Sequence, residues 1–410
     1  MNPALPPGAL DGVRVLDLTR VLAGPYCGQM LADLGAEVIK VERPRSGDDT
    51  RAWGPPYVKD ADGRDTDVST YYVAANRGKK SIAIDLASAD GQRQVRDLAM
   101  LSDVVLENYK VGQLARYGLD YATLAALKPS LIYCSITGFG QTGPWAKRPG
   151  YDFIVQGLSG FMSVTGERED ACPTCHGGPP QKAGVAISDL LTGIYSATAI
   201  LAALLHVRKT GQGQHVDMAL LDVMIATMAN MNTAYLNTGQ VPGRAGNAHQ
   251  SIVPYQVFAC ADGFLILAVG NDIQFRRFCA AAGCEGLAGD ARFATNPARV
   301  GNRLVLVPLL EAILAGRTKA EWIARLEAAE VPCGPIDSLD EVFRNPQVVA
   351  RGLRIELPHA RAGQVAMVAN PMQMSATPPR YGLPPPGLDE HRDEIEALIA
   401  GRVGDQPPKR

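Results

Sequence analysis

Short apolar runs bounded by turn residues alternate with helical stretches along the first part of this chain. Residues 13–18 (Val-Arg-Val-Leu-Asp-Leu) read as a buried strand, and a turn follows over 19–25. Residues 27–34 carry a helical pattern that Gly35 is placed to end, and Glu37–Glu42 is a second strand. Strand, helix and strand in that order predict a βαβ unit, hence a parallel sheet with a right-handed crossover. Further strands are predicted at 80–85, 103–107 and 131–136, with helices near 91–101 and 121–127 between them. The alternation predicts an α/β fold with a doubly wound parallel sheet. Ligands of such sheets sit beyond the carboxyl ends of the strands, so 19–24, Arg43, 108–110 and 137–140 are the expected lining of one crevice.

The pattern changes after residue 209. A turn over 209–213 precedes Gln214–Ala219, which reads as the lead into a long helix carrying Met218, Met224, Met228 and Met231. That methionine stripe reads as core rather than ligand site. A polar loop follows at 243–249, then two strands, 255–260 and 264–269, joined at Ala261-Asp-Gly263 as a hairpin. Helices run on to about 329, and 365–383, rich in Pro and Met, reads as irregular. The expected organisation is a discontinuous large Rossmann-like domain, 1–210 plus 340–410. A small α/β domain over 225–330 is joined to it by linkers at 211–224 and 331–339.

At 410 residues the chain exceeds one small core, which agrees with two domains. A net charge of −2 leaves no field for nucleic acid or anionic lipid, so any phosphate binding is local. Met1 to Leu10 holds three prolines and no basic, apolar leader pattern, and no run reads as long enough to span a membrane. With no such leader, the eight cysteines read as reduced thiols and the expected location is cytoplasmic. Cys172-Pro-Thr-Cys175-His176 has the spacing of a c-type haem attachment site, but that chemistry follows export. A zinc site would need a second close pair of ligands, which the sequence lacks. No metal is expected, and the segment reads as a Cys-, Pro- and Gly-rich loop. The first strand-turn-helix lacks G-x-G-x-x-G, its turn being Leu22-Ala-Gly-Pro25, so no dinucleotide is inferred.

The most informative stretch is Gly184-Val-Ala-Ile-Ser-Asp189-Leu-Leu-Thr-Gly193. It sets one carboxylate among Ala186, Ile187, Leu190 and Leu191, just before a helix of small residues expected over 193–207 and expected to be buried. A carboxylate held this way is either a helix cap or a nucleophile.

Several motifs then stand in one order: Leu16-Asp-Leu-Thr-Arg-Val-Leu-Ala-Gly-Pro25, Leu34-Gly-Ala-Glu-Val-Ile-Lys-Val-Glu-Arg43, Asn76-Arg-Gly-Lys-Lys-Ser-Ile82 and Glu107-Asn-Tyr109. Gly150-Tyr-Asp152, Ser159-Gly160, Ile187-Ser-Asp189, Gly211-Gln-Gly213, Pro332-Cys-Gly-Pro335 and Asp389-Glu-His391 complete the set. Each fragment is weak alone, but their joint order and spacing are specific. Together, from about Leu10 to Leu398, they resemble the family III CoA transferases, the family of formyl-CoA transferase and carnitine CoA transferase.

The resemblance implies a Rossmann-like large domain, a homodimer of two chains threaded as interlocked rings, and transfer of CoA between carboxylic acids. Coenzyme A would be a substrate, and no cofactor is implied. Asp189 matches the family's nucleophile, which forms a mixed anhydride and then an aspartyl-CoA thioester. Arg43, Asn108, Tyr109 and Arg116 match CoA contacts, with Lys110 beside them; Ile84 and Leu86 match the wall near the adenine. Asp152, with Tyr151 adjoining, matches an acidic residue near the active site, and Val21, Leu22 and Ala23, in the turn after the first strand, are expected among the CoA-binding residues. Two departures bear on the substrate. Leu22 stands where the formyl-CoA enzyme has a glutamine, and the loop 243–249 holds two glycines where that enzyme has a run. Oxalate and formate are therefore poor candidates. Arg244, Asn247 and His249 either meet a second carboxylate, pointing to a dicarboxylic acyl group such as succinyl or glutaryl, or merely solvate the loop. The nearest rival is an α-methylacyl-CoA racemase, whose pattern has a histidine before the aspartate of Gly-x-Asp; here that residue is Tyr151. A CoA-binding or assembly protein without activity is the other alternative.

Overall fold

The structure, a computed structural model, describes residues 8–168 and 178–404. The chain divides into two compact units. The larger takes the chain through Phe161, Ala183–Asn237 and everything from Gln347 on; the smaller takes Met162–Lys182 and Thr238–Pro346.

The larger unit is built on a six-stranded sheet. Its strands are β1 (Arg14–Asp17), β2 (Glu37–Glu42), β5 (Lys79–Ala83), β6 (Val104–Glu107), β7 (Ile132–Thr137) and β8 (Gln214–Ala219). A short hairpin, β3 (Tyr57–Lys59) and β4 (Asp65–Ser69), and helix α2 (Thr70–Asn76) intervene between β2 and β5. The sheet order is β5-β2-β1-β6-β7-β8, and every pair is parallel. Counted within the sheet this is 3-2-1-4-5-6, so the winding reverses between β1 and β6 and opens a crevice at their carboxyl ends.

Strands buried on both faces explain the near-continuous apolar runs of the sequence. On one face Val15, Val38, Val104, Leu106 and Ile132 pack with Leu31 of helix α1 (Ala23–Asp33) and Ile200 of helix α6 (Ile187–Thr210). On the other, Leu16, Ile39, Ile82 and Val105 pack with helices α3 (Ala89–Leu101) and α4 (Tyr121–Leu127), through Val95, Leu98 and Leu124, and with Ile395 of the C-terminal helix Arg392–Gly404. The Asp389-Glu-His391 motif ties that last helix to β5: Ala83 N donates to Asp389 Oδ1 at 2.8 Å and His391 N to the Ser81 carbonyl at 3.0 Å.

Two expectations are corrected here. Gln214–Ala219 is the sixth strand rather than the start of a helix, so this part of the expected linker belongs to the sheet. Helix α6 begins at Ile187, six residues before Gly193, and runs 24 residues to Thr210. It is long and apolar enough to cross a membrane by length and composition alone. It is instead packed along α1 by a stripe of small residues including Thr192, Gly193, Ser196 and Ala197, leaving Ile194, Tyr195 and Leu205 exposed on its other face. The 365–383 stretch also contributes order: Gly363–Val368 pairs with Arg354–His359 as an antiparallel hairpin.

The smaller unit holds the expected hairpin, β9 (Tyr255–Cys260) with β10 (Gly263–Ala268), flanked by helices whose Phe275, Phe278, Leu306, Leu310 and Trp322 form its own core. The loop residues proposed to meet a second carboxylate have structural tasks. Asn247 Oδ1 accepts from Val257 N at 3.0 Å, His249 Nδ1 from Ser251 N at 3.0 Å, and Arg244 donates to the Glu167 and Gly178 carbonyls.

Candidate active site

The turn after β1 is tied down from below and from one side. Lys40 and Asp48, both fully buried, pair at 2.9 Å, and Lys40 Nζ also donates to the Thr19 carbonyl at 2.9 Å. Asp48 accepts from Val21 N at 3.2 Å, and despite burial the Lys40 charge, with hydrogen bonds from Thr50 and Lys40, holds its carboxyl down at about 2. Val21 itself has a φ of +73°, a conformation that a β-branched residue adopts only under restraint. From the side, Asn108 clamps the preceding residue: its Oδ1 accepts from Arg20 N at 3.0 Å and its Nδ2 donates to the Arg20 carbonyl at 2.7 Å.

The second half of the site comes from helix α5 (Asp152–Leu158) and the first turn of α6. Asp152 Oδ1 accepts from Ser188 N at 2.9 Å and Ser188 Oγ at 2.7 Å, and Oδ2 from Gln156 Nε2 at 2.8 Å. Gln156 in turn accepts from Ala183 N at 2.8 Å, so α5 fixes where α6 begins. Asp189 lies in the first turn of α6, but the N-cap position is Ala186, and the first-turn amide of Ser188 is taken by Asp152 rather than by Asp189. The cap alternative for Asp189 is thereby removed. Among the described residues no hydrogen bond reaches its carboxylate. Burial, and then the charge of Asp152, push its pKa up to about 7. One turn further along, Gly193 lets α6 touch α1: a Cβ there would stand 2.7 Å from the Ala23 carbonyl oxygen. That contact brings Asp189 beside the Val21–Ala23 turn.

Between these parts lies a cleft of about 270 Å3, at the reversal point of the sheet. Of the residues expected at the site, it gathers Val21, Leu22, Ala23, Asn108, Tyr109, Lys110, Tyr151 and Asp189. Asp152 stands behind Asp189 rather than in the wall. Arg43, Ile84, Leu86 and Arg116 are not in the wall either. Arg43 is half exposed and paired with Asp49, Ile84 is buried in the core with Leu86 packed against it, and Arg116 is exposed on the turn Leu114–Tyr117. Asn108 does line the cleft, but its amide is engaged with the Arg20 backbone.

The cleft also has members the sequence reading did not single out. Lys147 and Arg148 join Lys110, and Arg20 of the turn expected to line the crevice, as cations around it, against the acids Asp49 and Asp189. The adjacent basic pair Lys147-Arg148, just before Gly150-Tyr-Asp152, was the available signal. Tyr71, whose hydroxyl is pushed up by burial and then by Asp189 and Asp152, stands near both carboxylates and belongs to no motif. Among the described residues no group of three or more His, Cys, Asp or Glu side chains could hold a metal. The Cys172/Cys175/His176 segment lies outside the described residues. A cation-rimmed cleft with one unbonded carboxylate can bind an anionic ligand and present a nucleophile to it.

The fold and this site define an α/β enzyme of the acyl-transfer kind. Residues 10–392 match CoA-transferase family III, and the chain belongs to that family and is a CoA transferase. It is 53% identical over 390 residues to a succinate–glutarate CoA-transferase of Agrobacterium fabrum, which covers 95% of each chain. It is 41% identical to a human succinyl-CoA:glutarate CoA-transferase, over 94% of this chain and 85% of that one. A crystal structure of a CaiB/BaiF family protein from Brucella suis superposes with a TM-score of 0.83 at 46% identity, covering 96% of this chain and 99% of that chain.

Proposed function

We propose that this chain moves CoA from succinyl-CoA to glutarate or a closely related dicarboxylic acid, with Asp189 as the nucleophile. The observation that carries the mechanism is Asp189 itself, a carboxylate with no hydrogen bond among the described residues, lining a cleft rimmed by Arg20, Lys110, Lys147 and Arg148. Similarity to the two glutarate transferases over nearly the whole chain supports the choice of acids.

The ionised Asp189 attacks the thioester carbonyl, the C–S bond breaks, and the CoA thiolate leaves a succinyl–aspartyl anhydride. The thiolate attacks the aspartyl carbonyl and expels succinate, giving an aspartyl-CoA thioester. Glutarate attacks that thioester and expels the thiolate. The thiolate then attacks the glutaryl carbonyl and releases Asp189 unchanged. Each step exchanges one anion for another, so no net proton transfer is required. The acyl-aspartyl species must be kept from water. Coenzyme A enters as substrate and the cycle calls for no further cofactor.

Two features weigh against the epimerase alternative. Tyr151 occupies the place of a histidine acid/base, and both Asp152 oxygens are already hydrogen-bonded. A homodimer is part of the proposal. The apolar faces bearing Ile194 and Tyr195 on α6, and Leu236 on helix Ala229–Thr238, are exposed in the single chain, and a second copy would cover them. Buried thiols such as Cys27 and Cys134 fit a reducing, cytoplasmic location.

The test is incubation with succinyl-CoA and a panel of free acids, read by mass spectrometry, with Asp189→Ala alongside. Glutaryl-CoA and free succinate from the native protein alone are expected. Absence of any new acyl-CoA, or an equal yield from Asp189→Ala, overturns the proposal.

A further inference from the structure

Beside the catalytic cleft lies a second cavity of about 300 Å3, and Lys110 and Val111 belong to the walls of both. Its other wall includes Glu107, Ser135 and His215, the ends or interiors of three adjacent strands, together with Gln141 and Asp120. Glu107 is the last residue of β6 and is only 6% exposed. Its Oε2 accepts from Tyr109 N at 2.8 Å, so its carboxylate fixes the first turn of the chain that carries Asn108, Tyr109 and Lys110 into the catalytic cleft. Ser135, next to it in register on β7, hydrogen-bonds Glu107 and meets His215 Nε2 at 2.9 Å. The His215 ring is fixed in turn, stacked on Tyr121 at 5.0 Å and edge-on to Tyr133 at 5.6 Å. Nothing in the anhydride chemistry uses this row of three.

We propose that Glu107, linked through Ser135 to His215, is a positioning residue that holds the Asn108–Lys110 wall in the form that grips CoA, and that this grip weakens when Glu107 takes up a proton. The inference rests on the reading of the cleft as an acyl-CoA site. In the gripping state the Glu107 carboxylate accepts from the Tyr109 amide and the Ser135 hydroxyl, and Ser135 accepts from His215 Nε2–H. The neighbouring charges are Asp217 on β8, Lys110 on the shared wall and Asp120 at the start of α4. Burial first, then Asp217, push Glu107 up to about 7, while burial pushes His215 down and keeps it neutral there. Glu107 is therefore charged above that range and uncharged below it, and CoA should bind more tightly as pH rises. Replacing a charge-assisted hydrogen bond by a neutral one weakens it by about 1 kcal/mol, or about fivefold in affinity.

The test uses Asp189→Ala as the parent, so that the nucleophile's own titration is absent, and CoA as the probe. Calorimetry from pH 6 to 8.5 should show the parent losing about fivefold more CoA affinity toward pH 6 than Asp189→Ala/Glu107→Gln does. Titration of the CoA phosphates is common to both and cancels. In the enzyme with Asp189 intact, Glu107→Gln should raise KM for the acyl-CoA about fivefold at pH 8 and change kcat far less. Ser135→Ala, which leaves Glu107 in place, should move the midpoint of the affinity curve upward by removing a hydrogen bond to the ionised form. Identical pH dependence in the two Asp189→Ala proteins, or no movement with Ser135→Ala, overturns the inference. Failure of the parent to bind CoA at any pH is a different signature and overturns the reading of the cleft with it.

Discussion

The elevated Asp189 carboxyl makes Asp152→Asn the sharpest perturbation of this site. Asp189 rises from 3.8 to about 7, and burial is the larger of its two causes, ahead of the Asp152 charge. Removing that charge while keeping the side-chain size must therefore return less than half of the rise, at most about 1.5 pH units. Asparagine keeps an oxygen for Ser188 N and Oγ and gives up only the bond from Gln156 Nε2, so the start of α6 should hold. The assay is the initial rate of glutaryl-CoA formation from succinyl-CoA and glutarate, followed chromatographically from pH 5 to 8.5. In the native enzyme the rate falls about tenfold for each pH unit below the Asp189 midpoint, because only the anion attacks. With Asp152→Asn that acid limb should move down by about 1 pH unit. The limb then lies near 6, and the rate at pH 6 rises severalfold over native while the rate at pH 8.5 changes little. Substrate titration and Glu107 are the same in both proteins, so the difference isolates Asp152. An unmoved limb would refute the coupling of the two carboxylates. A shift of two units or more would refute the ranking that puts burial first.

Other consequences are as direct. Asp189 has a native pKa above its unfolded value, so ionising it opposes folding, by an amount that grows from about pH 4 to 7 and then levels off. Asp189→Asn should accordingly raise Tm by a few degrees at pH 8 and leave it nearly unchanged at pH 4, by calorimetry. Gly193→Ala would drive a methyl to 2.7 Å from the Ala23 carbonyl, so chemical denaturation should show a loss of about 1–3 kcal/mol, with a lower kcat as α6 and α1 separate. Asn108→Leu removes both bonds to the Arg20 backbone and should raise KM for acyl-CoA by about tenfold or more in steady-state kinetics, with activity retained at saturation.

The sequence made the sheet legible where strands are buried on both faces, because an unbroken apolar run has few other interpretations. β8 escaped for the opposite reason: Gln214-His-Val-Asp-Met-Ala219 is an edge strand, polar at alternate positions, and it runs straight into helix Leu220–Thr227. The start of α6 escaped because its N-cap is Ala186, which carries none of the usual signals, and Gly193 resembled a helix boundary when it marks a close helix contact. Asp189 was visible as a singular carboxylate, but whether it capped a helix or attacked a substrate depended on that boundary. Tyr71 reaches the site through tertiary packing alone, which no local spacing encodes. Arg43 and Arg116 were assigned from motif matches, and their positions here, in an ion pair and on an exposed turn, leave them outside the cleft wall.

The buried charges beneath the cleft belong to the same logic. Lys40–Asp48 and Lys79–Asp17 are fully buried pairs at 2.9 Å, and such pairs often contribute less to stability than apolar residues of the same size. Their geometry suggests what they supply instead. Lys40 and Asp48 hold Thr19 and Val21, Asp17 accepts from Thr19 N at 2.9 Å, and Lys79 donates to the Pro25 carbonyl in α1 at 2.8 Å. Every one of these contacts ends on the backbone between residues 19 and 25, the segment that carries the left-handed Val21 and faces Asp189. A strained turn keeps its shape only when its surroundings over-determine it. An apolar replacement of both partners, such as Lys40→Met with Asp48→Leu, should therefore preserve or raise stability and yet lower kcat, because Val21 N would lose its acceptor and the Thr19 carbonyl its donor. Equal losses of stability and activity in that double variant would show the pair to be structural and the turn to be self-supporting.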